Sequence, residues 1–173
     1  MRWEVFKQDA PGKPHQAVGS VHGADPEHAL LNARHVFGRR PAAVSVWVVP
    51  ADRVLARTAE ELAAEGPPRA AGGDAGQARR FHVFRKSSHR RSMTFVDHVG
   101  DVDAVSHEAA LAAAIAADGP EPALAWWVVA ADDVTRSDPE DAPSWFEPAR
   151  DKTYKQQSAY GTVTPRRERG AAP

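Results

Sequence analysis

Val46-Trp47-Val48-Val49-Pro50-Ala51-Asp52 and Trp126-Trp127-Val128-Val129-Ala130-Ala131-Asp132 are two versions of one segment, 80 residues apart. Each begins with a short, almost continuously apolar run, which is typical of a strand that is buried on both faces. A second pair lies upstream, because Trp3-Glu4-Val5-Phe6 recurs as Phe81-His82-Val83-Phe84 at an offset of 78. Segments that recur at a nearly constant offset indicate a repeated structural unit. The sequence therefore predicts that one unit occurs twice.

Each unit also holds a second strand-like run and a helix between these anchors. The runs are residues 17–22 and 95–99. The first helix is predicted to begin at Asp25, whose carboxylate can accept from free amides of the first turn, and to end at Gly38 in a left-handed cap. The second is predicted to begin at Ser106. The expected fold is α+β, with two fused strand-strand-helix-strand repeats that form a pseudo-dimer and are followed by an irregular C-terminal tail.

Composition divides the chain further. Residues 1–64 form the first repeat and residues 79–136 the second, and residues 65–78 between them are rich in Gly, Pro and Ala, as linkers are. Residues 137–164 are an aromatic tail, and residues 165–173 are predicted to be disordered.

The aromatic tail lacks a periodic pattern of its own, although it carries Trp145, Phe146, Tyr154 and Tyr160. Large aromatic side chains without a local core need a surface to lie on. That surface is either the first half of this chain or a partner. Truncation after Val134 is accordingly expected to leave folding intact and to weaken partner binding.

The composition excludes several classes of protein. The chain has no cysteine, so disulfides, thiolate metal sites and iron–sulfur clusters are excluded. The formal net charge of −1 does not favour nucleic-acid binding. No apolar run approaches the roughly 20 residues that span a membrane, and the start of the chain lacks the apolar stretch of a signal peptide. A cytoplasmic protein is expected.

Several separated blocks resemble the PaaB family in order and spacing. They are Trp3-Glu4-Val5-Phe6, residues 18–25, residues 29–34, Arg39-Arg40 and residues 44–49, with residues 137–141 and 145–149, Asp151-Lys152, Tyr154 and Tyr160 resembling the C-terminal signature. The usual member of the family is a single unit, so the tandem form departs from the pattern. Arg39-Arg40 has no counterpart in the second copy, where Glu121-Pro122 stands.

The resemblance implies a non-catalytic structural or bridging subunit of a multicomponent diiron oxygenase that epoxidises phenylacetyl-CoA in aerobic phenylacetate catabolism. The implied partners are a helical diiron catalytic subunit and a related helical structural subunit, with the reductase as a further candidate. Diiron, flavin and iron–sulfur centres are expected in those partners and no cofactor in this chain. The alternative is a free-standing α+β binding or regulatory module. The residues expected to bind a partner are Arg39, Arg40, Trp145, Phe146, Tyr154 and Tyr160.

No catalytic, cofactor-binding or metal-binding constellation stands out from the residues. A diiron site needs several carboxylates and paired Glu-x-x-His motifs on long helices, and the chain has no Glu-x-x-His. His82, His89 and His98 are interpreted as a chance cluster on the surface. Trp47 and Trp127 are interpreted as core residues.

Residues 79–91 carry six positive side chains and no acidic one. Such a segment suits the phosphates of CoA or an acidic face of another subunit. It also suits an edge hairpin that charge keeps soluble and unpaired. The sequence leaves both interpretations open.

Overall fold

The computed structural model describes residues 1–38, 43–66, 68, 77–89, 95–118 and 123–149. The strands and helices, in chain order, are β1 (Arg2–Gln8), β2 (Gln16–His22), α1 (Pro26–Phe37), β3 (Ser45–Pro50), β4 (Leu55–Thr58), α2 (Ala59–Glu65), β5 (Arg79–Lys86), β6 (Asp97–Ala104), α3 (His107–Ala117), β7 (Ala125–Ala130), β8 (Thr135–Arg136) and α4 (Ala142–Phe146). Single 3-10 turns follow β3, β7 and α4.

The predicted repeat is confirmed. The order strand, strand, helix, strand occurs as β1-β2-α1-β3 and again as β5-β6-α3-β7. Both helices begin as the sequence predicts, because the Asp25 carboxylate accepts from the backbone N–H of His28 at 2.8 Å and Ser106 Oγ accepts from that of Ala109 at 3.2 Å. The predicted left-handed cap is wrong, since Gly38 has a φ of −82° and its N–H bonds the carbonyl of Arg34.

The two halves share one antiparallel sheet of eight strands, in the order β4-β7-β5-β6-β2-β1-β3-β8. They join at β2 and β6, where Gln16 lies opposite Asp97. Two backbone bonds flank this pair, from the Ala17 N–H to Val96 at 2.9 Å and from the His98 N–H to His15 at 2.8 Å. Gln16 and Asp97 occupy equivalent places in the two repeats, so the approximate twofold axis passes between them.

The sheet curls strongly towards the face opposite α1 and α3. In the strand order, β1 and β5 are three spacings apart, which is about 14 Å in a flat sheet. The rings of Phe6 on β1 and Phe84 on β5 nevertheless stack with centroids 4.3 Å apart. Around them lies a core shared by both halves, with Ala17, Val49, Val96 and Val129 fully buried.

Each half sends its last strand and helix to the other half. β4 follows β3 in the chain but pairs with β7, and β8 follows β7 but pairs with β3. The helices follow the same exchange, because Leu62 of α2 packs on the core under α3 and Phe146 of α4 lies in the core under α1. We call β4 with α2 the first exchanged arm and β8 with α4 the second.

The second exchanged arm changes the expectation for a truncated chain. Ser137 Oγ accepts from the backbone N–H of Val46 at 3.0 Å, and Phe146 is 3% exposed. Truncation after Val134 would remove both contacts together with β8. The expectation that such a chain folds normally is therefore wrong. Within the described residues, every helix is too short or too polar to cross a membrane.

Candidate functional site

A group of polar and aromatic side chains fills one side of the seam between the halves. We call it the seam cluster. Its members are His15, Trp47, His82, His98, Asp101 and Arg136. The first two come from the first half, and the others come from β5, β6 and β8. The sheet brings them together because it curls and because β8 crosses to β3, so that Arg136 lies opposite Trp47.

Trp47 is the platform of the seam cluster. The His15 ring stacks on it with centroids 3.6 Å apart, and the Arg136 guanidinium lies 5.0 Å from its centroid. His82 lies 4.9 Å from it. A guanidinium over an indole is a favourable cation–π arrangement. These contacts hold both halves against one aromatic side chain.

Hydrogen bonds fix the protonation of His82. Arg136 Nη2 lies 2.8 Å from His82 Nε2, and a guanidinium can only donate. His82 Nε2 must therefore accept, and Nδ1 carries the proton that it donates to Asp101 at 2.6 Å. His98 Nε2 lies 2.9 Å from the same carboxylate oxygen. The resulting chain runs from Arg136 through His82 to Asp101 and His98.

The surroundings favour neutral histidines. Burial, together with the nearby His98, His82 and Arg136, lowers the pKa of His15 to about 4. Burial also lowers the pKa of His82, although the Asp101 carboxylate opposes this shift. For Asp101, burial raises the pKa, but hydrogen bonds from His82 and His98 outweigh it, and the net pKa is lowered. At neutral pH the cluster thus combines a carboxylate and a guanidinium with neutral rings at positions 15 and 82.

His82, His98 and Asp101 are also close enough to be considered as metal ligands, since one ligand atom from each lies within 4.8 Å of the others. A metal on His82 Nδ1 would move the ring proton to Nε2, where it would face the donor-only guanidinium of Arg136. The geometry therefore favours the hydrogen-bonded chain over a metal. A diiron centre, which needs several carboxylates, does not fit this set of donors.

The other side of the seam is built differently. Strand register assigns Val96 as the counterpart of His15, Ala17 as that of His98 and Glu4 as that of His82. Val96 and Ala17 are buried in the shared apolar core. Glu4 is buried and accepts from Arg2 at 2.6 Å. Only one of the two equivalent positions therefore carries the cluster of histidines.

The interpretation of the histidines as a surface cluster is wrong for His82, which is 5% exposed. His89 is exposed. The interpretation failed because it followed sequence distance, and His15 lies far from His82 in the chain. A signal was available in the repeat, since His82 takes an inward position of the strand that contains Phe84.

The residues predicted to bind a partner fall into two groups. Phe146 lies in the core of the first half, and Trp145 is half-buried beside it, with the Arg34 guanidinium 5.3 Å from its ring centroid. Of the two surfaces that the sequence left open, the first half is the one they contact here. Arg39, Arg40, Tyr154 and Tyr160 lie outside the described residues. Their role towards a partner stays a prediction.

The basic segment is not an edge hairpin, because β5 lies between β7 and β6. The described cations on it make contacts within the chain. Arg80 pairs with Asp103 at 3.1 Å, Arg85 pairs with Asp118, and the Lys86 ammonium donates to the carbonyl of Phe95 at 3.3 Å. These contacts weaken the interpretation of the segment as a site for CoA phosphates.

The fold and the seam cluster define a duplicated α+β protein whose halves share one sheet and exchange their last elements. The model of the family described as phenylacetic acid degradation B, PaaB, matches residues 1–68 and residues 77–167. The chain belongs to this family.

One similar curated protein is a subunit of 1,2-phenylacetyl-CoA epoxidase from Escherichia coli strain K12. The two are 44% identical over 59 residues, which are 34% of this chain and 62% of that relative. The matched stretch thus spans less than two thirds of the relative. No solved structure matches the chain.

Proposed function

We propose that the chain is a non-catalytic, bridging subunit of a cytoplasmic multicomponent diiron oxygenase that epoxidises phenylacetyl-CoA in phenylacetate catabolism. The observation that carries the proposal is the match of the PaaB family to both halves of the chain. The name of the Escherichia coli relative supports it, since that protein is a subunit of such an epoxidase.

The chemistry of the described residues is consistent with a bridging role. The seam cluster is tied up in contacts between the two halves, with neutral rings and a carboxylate that already accepts from two histidines. Neither a nucleophile with an adjacent base nor a pair of carboxylates aimed into a cavity accompanies it among the described residues. The proposal places the diiron centre in a helical catalytic partner and leaves this chain without a cofactor.

The experiment is to coexpress the tagged chain with the helical catalytic and structural oxygenase subunits encoded with it. We expect the three to copurify, and we expect metal analysis to find iron in the catalytic partner rather than in this chain. Epoxidation of phenylacetyl-CoA by the reconstituted complex should fall at least tenfold when this chain is left out. Failure to copurify at micromolar concentration would favour a free-standing module instead.

A truncation after Ala149 tests the remainder of the tail. This chain keeps every described element and loses Tyr154 and Tyr160, so its circular dichroism should match that of the intact protein. Capture of the oxygenase subunits should weaken about tenfold, because large aromatic side chains typically dominate such contacts. Unchanged affinity would show that these tyrosines do not contribute to binding.

A further inference from the structure

A groove of about 260 Å³ opens between α3 and β6 in the second half. It is lined by Val83, Gly100, Val102, Ala114, Asp118 and Trp126, among others. Val99 lies beside it and is 53% exposed. A fully enclosed cavity of about 150 Å³ is enough for benzene in another protein, so the groove has room for a phenyl ring.

The first half shows what fills the equivalent place. There the ring of Phe37, the last residue of α1, lies directly over Gly19 of β2, and a Cβ added to Gly19 would be 3.0 Å from the end of that ring. The helix caps and the strand register both relate the halves by 81 residues, so Gly100 is the counterpart of Gly19 and Asp118 that of Phe37. The groove exists because a carboxylate that pairs with Arg85 stands where the first half has a phenyl ring.

Gly100 is a second, independent observation. Gly19 has a φ of +139°, which other residues rarely adopt, so its backbone requires glycine. Gly100 lies outside that region, and a Cβ added to it would meet no heavy atom within 4 Å. Neither its backbone nor its neighbours require glycine. Glycine inside a strand weakens the strand and often marks a place that another molecule approaches closely.

We propose that this groove takes one aromatic side chain presented by a partner polypeptide. The first half supplies the template, since it fills the same place with a phenylalanine side chain from a helix end. Val102 and the Trp126 indole offer the apolar and aromatic contacts that such a ring prefers. The exposed Val99 would be covered by the backbone that carries the ring. The identity of the partner as an oxygenase subunit rests on the proposed function.

The first arm of the test uses the full chain alone. Amide signals of the ¹⁵N-labelled protein are followed while N-acetyl-phenylalanine amide is added, with N-acetyl-leucine amide as the non-aromatic probe. We expect shifts at Gly100, Val102 and Ala114, at least threefold weaker apparent binding of the leucine probe, and loss of these shifts in Gly100→Ile. That substitution fills the groove and leaves the pair of Arg85 with Asp118 in place. Ala56→Ile, on an exposed position of β4, is the matched control.

The second arm measures capture of the oxygenase subunits. Gly100→Ile should bind them at least tenfold more weakly than the intact chain or Ala56→Ile, with an unchanged circular dichroism spectrum. Unchanged capture by Gly100→Ile would overturn the proposal. So would tighter binding of phenylacetate than of the phenylalanine probe, since the occupant would then be a small molecule. If no version captures a subunit, the proposed function fails, and the first arm alone supports or overturns the groove as an aryl-binding site.

Discussion

His15 is a histidine whose surroundings turn a titratable ring into a packing element. Its ring stacks on Trp47, and its Nε2 lies 3.0 Å from Ser45 Oγ. It is 8% exposed, so protonation would place a charge in the seam beside Arg136. The ring is therefore neutral in the folded protein at pH 7, because its pKa lies near 4.

This burial predicts a dependence of stability on pH. The unfolded chain takes up a proton at position 15 below about pH 6.5, whereas the folded chain does so only near pH 4. Folding therefore loses stability as the pH falls through this window, by about 2–3 kcal/mol at pH 4.5. The prediction is that His15→Phe, which keeps a ring on Trp47, reduces the pH dependence of the free energy of unfolding by about this amount.

Urea unfolding at pH 7 and pH 4.5 measures the effect. His35→Gln is the control, because His35 is exposed on α1 and is not part of the seam. The prediction is wrong if His15→Phe and the unaltered chain lose the same free energy of unfolding between the two pH values.

At the scale of elements, the exchange of arms explains why a tail with no periodicity is ordered at its start. Residues 142–149 form α4 and a 3-10 turn against the first half. Their anchors are an apolar contact and a hydrogen bond, namely Phe146 in the core under α1 and Arg34 Nη2 donating to the carbonyl of Ser144 at 3.4 Å. A helix of five residues is not stable by itself, so these tertiary contacts must hold it.

The two adjacent aromatic residues of α4 should therefore differ in importance. Phe146→Ala should lower the free energy of unfolding by about 3–5 kcal/mol, since it removes a fully buried ring from the first core. Trp145→Ala should cost about 1–2 kcal/mol, because Trp145 is half-buried and its contact with Arg34 is partly exposed. Denaturant unfolding of both variants is the measurement, with the exposed Glu147→Ala as control. An equal or larger cost for Trp145→Ala would contradict this account.

At the scale of the whole molecule, the stacked rings of Phe6 and Phe84 belong to both halves at once. The exchanged arms add to this, since each half lacks an outer strand and a helix that the other supplies. A small domain buries a low fraction of its apolar surface, and the shared core raises that fraction. We therefore expect the two halves to fold as one cooperative unit.

Phe84→Ala tests this expectation. It should cost about 3–5 kcal/mol, because Phe84 is 1% exposed, and the loss should affect both halves equally. Amide signals of Val5 and Val83, followed by NMR during urea unfolding, should disappear at the same urea concentration in the variant as well as in the unaltered chain. Separate midpoints, with Val5 still protected when Val83 is not, would show that the halves are independent.

Local patterns in the sequence were enough for the repeat, the order of its elements and both helix starts. The valines at positions 5, 48, 83 and 128 lie in strands as predicted. Family membership could also be recognised, because it depends on blocks of residues whose order survives in the chain. These features are local, since periodicity and caps act within a few turns or one strand.

Other features depended on the tertiary structure alone. The joining of the sheets at Gln16 and Asp97, the exchange of the two arms, the seam cluster and the groove over Gly100 all involve residues far apart in the chain. Strand partners are chosen by which apolar faces cover each other, and alternation along one strand does not say which partner it meets. The sequence by itself thus determined what each half is made of, while long-range packing decided how the halves complete each other and where one of them is left open.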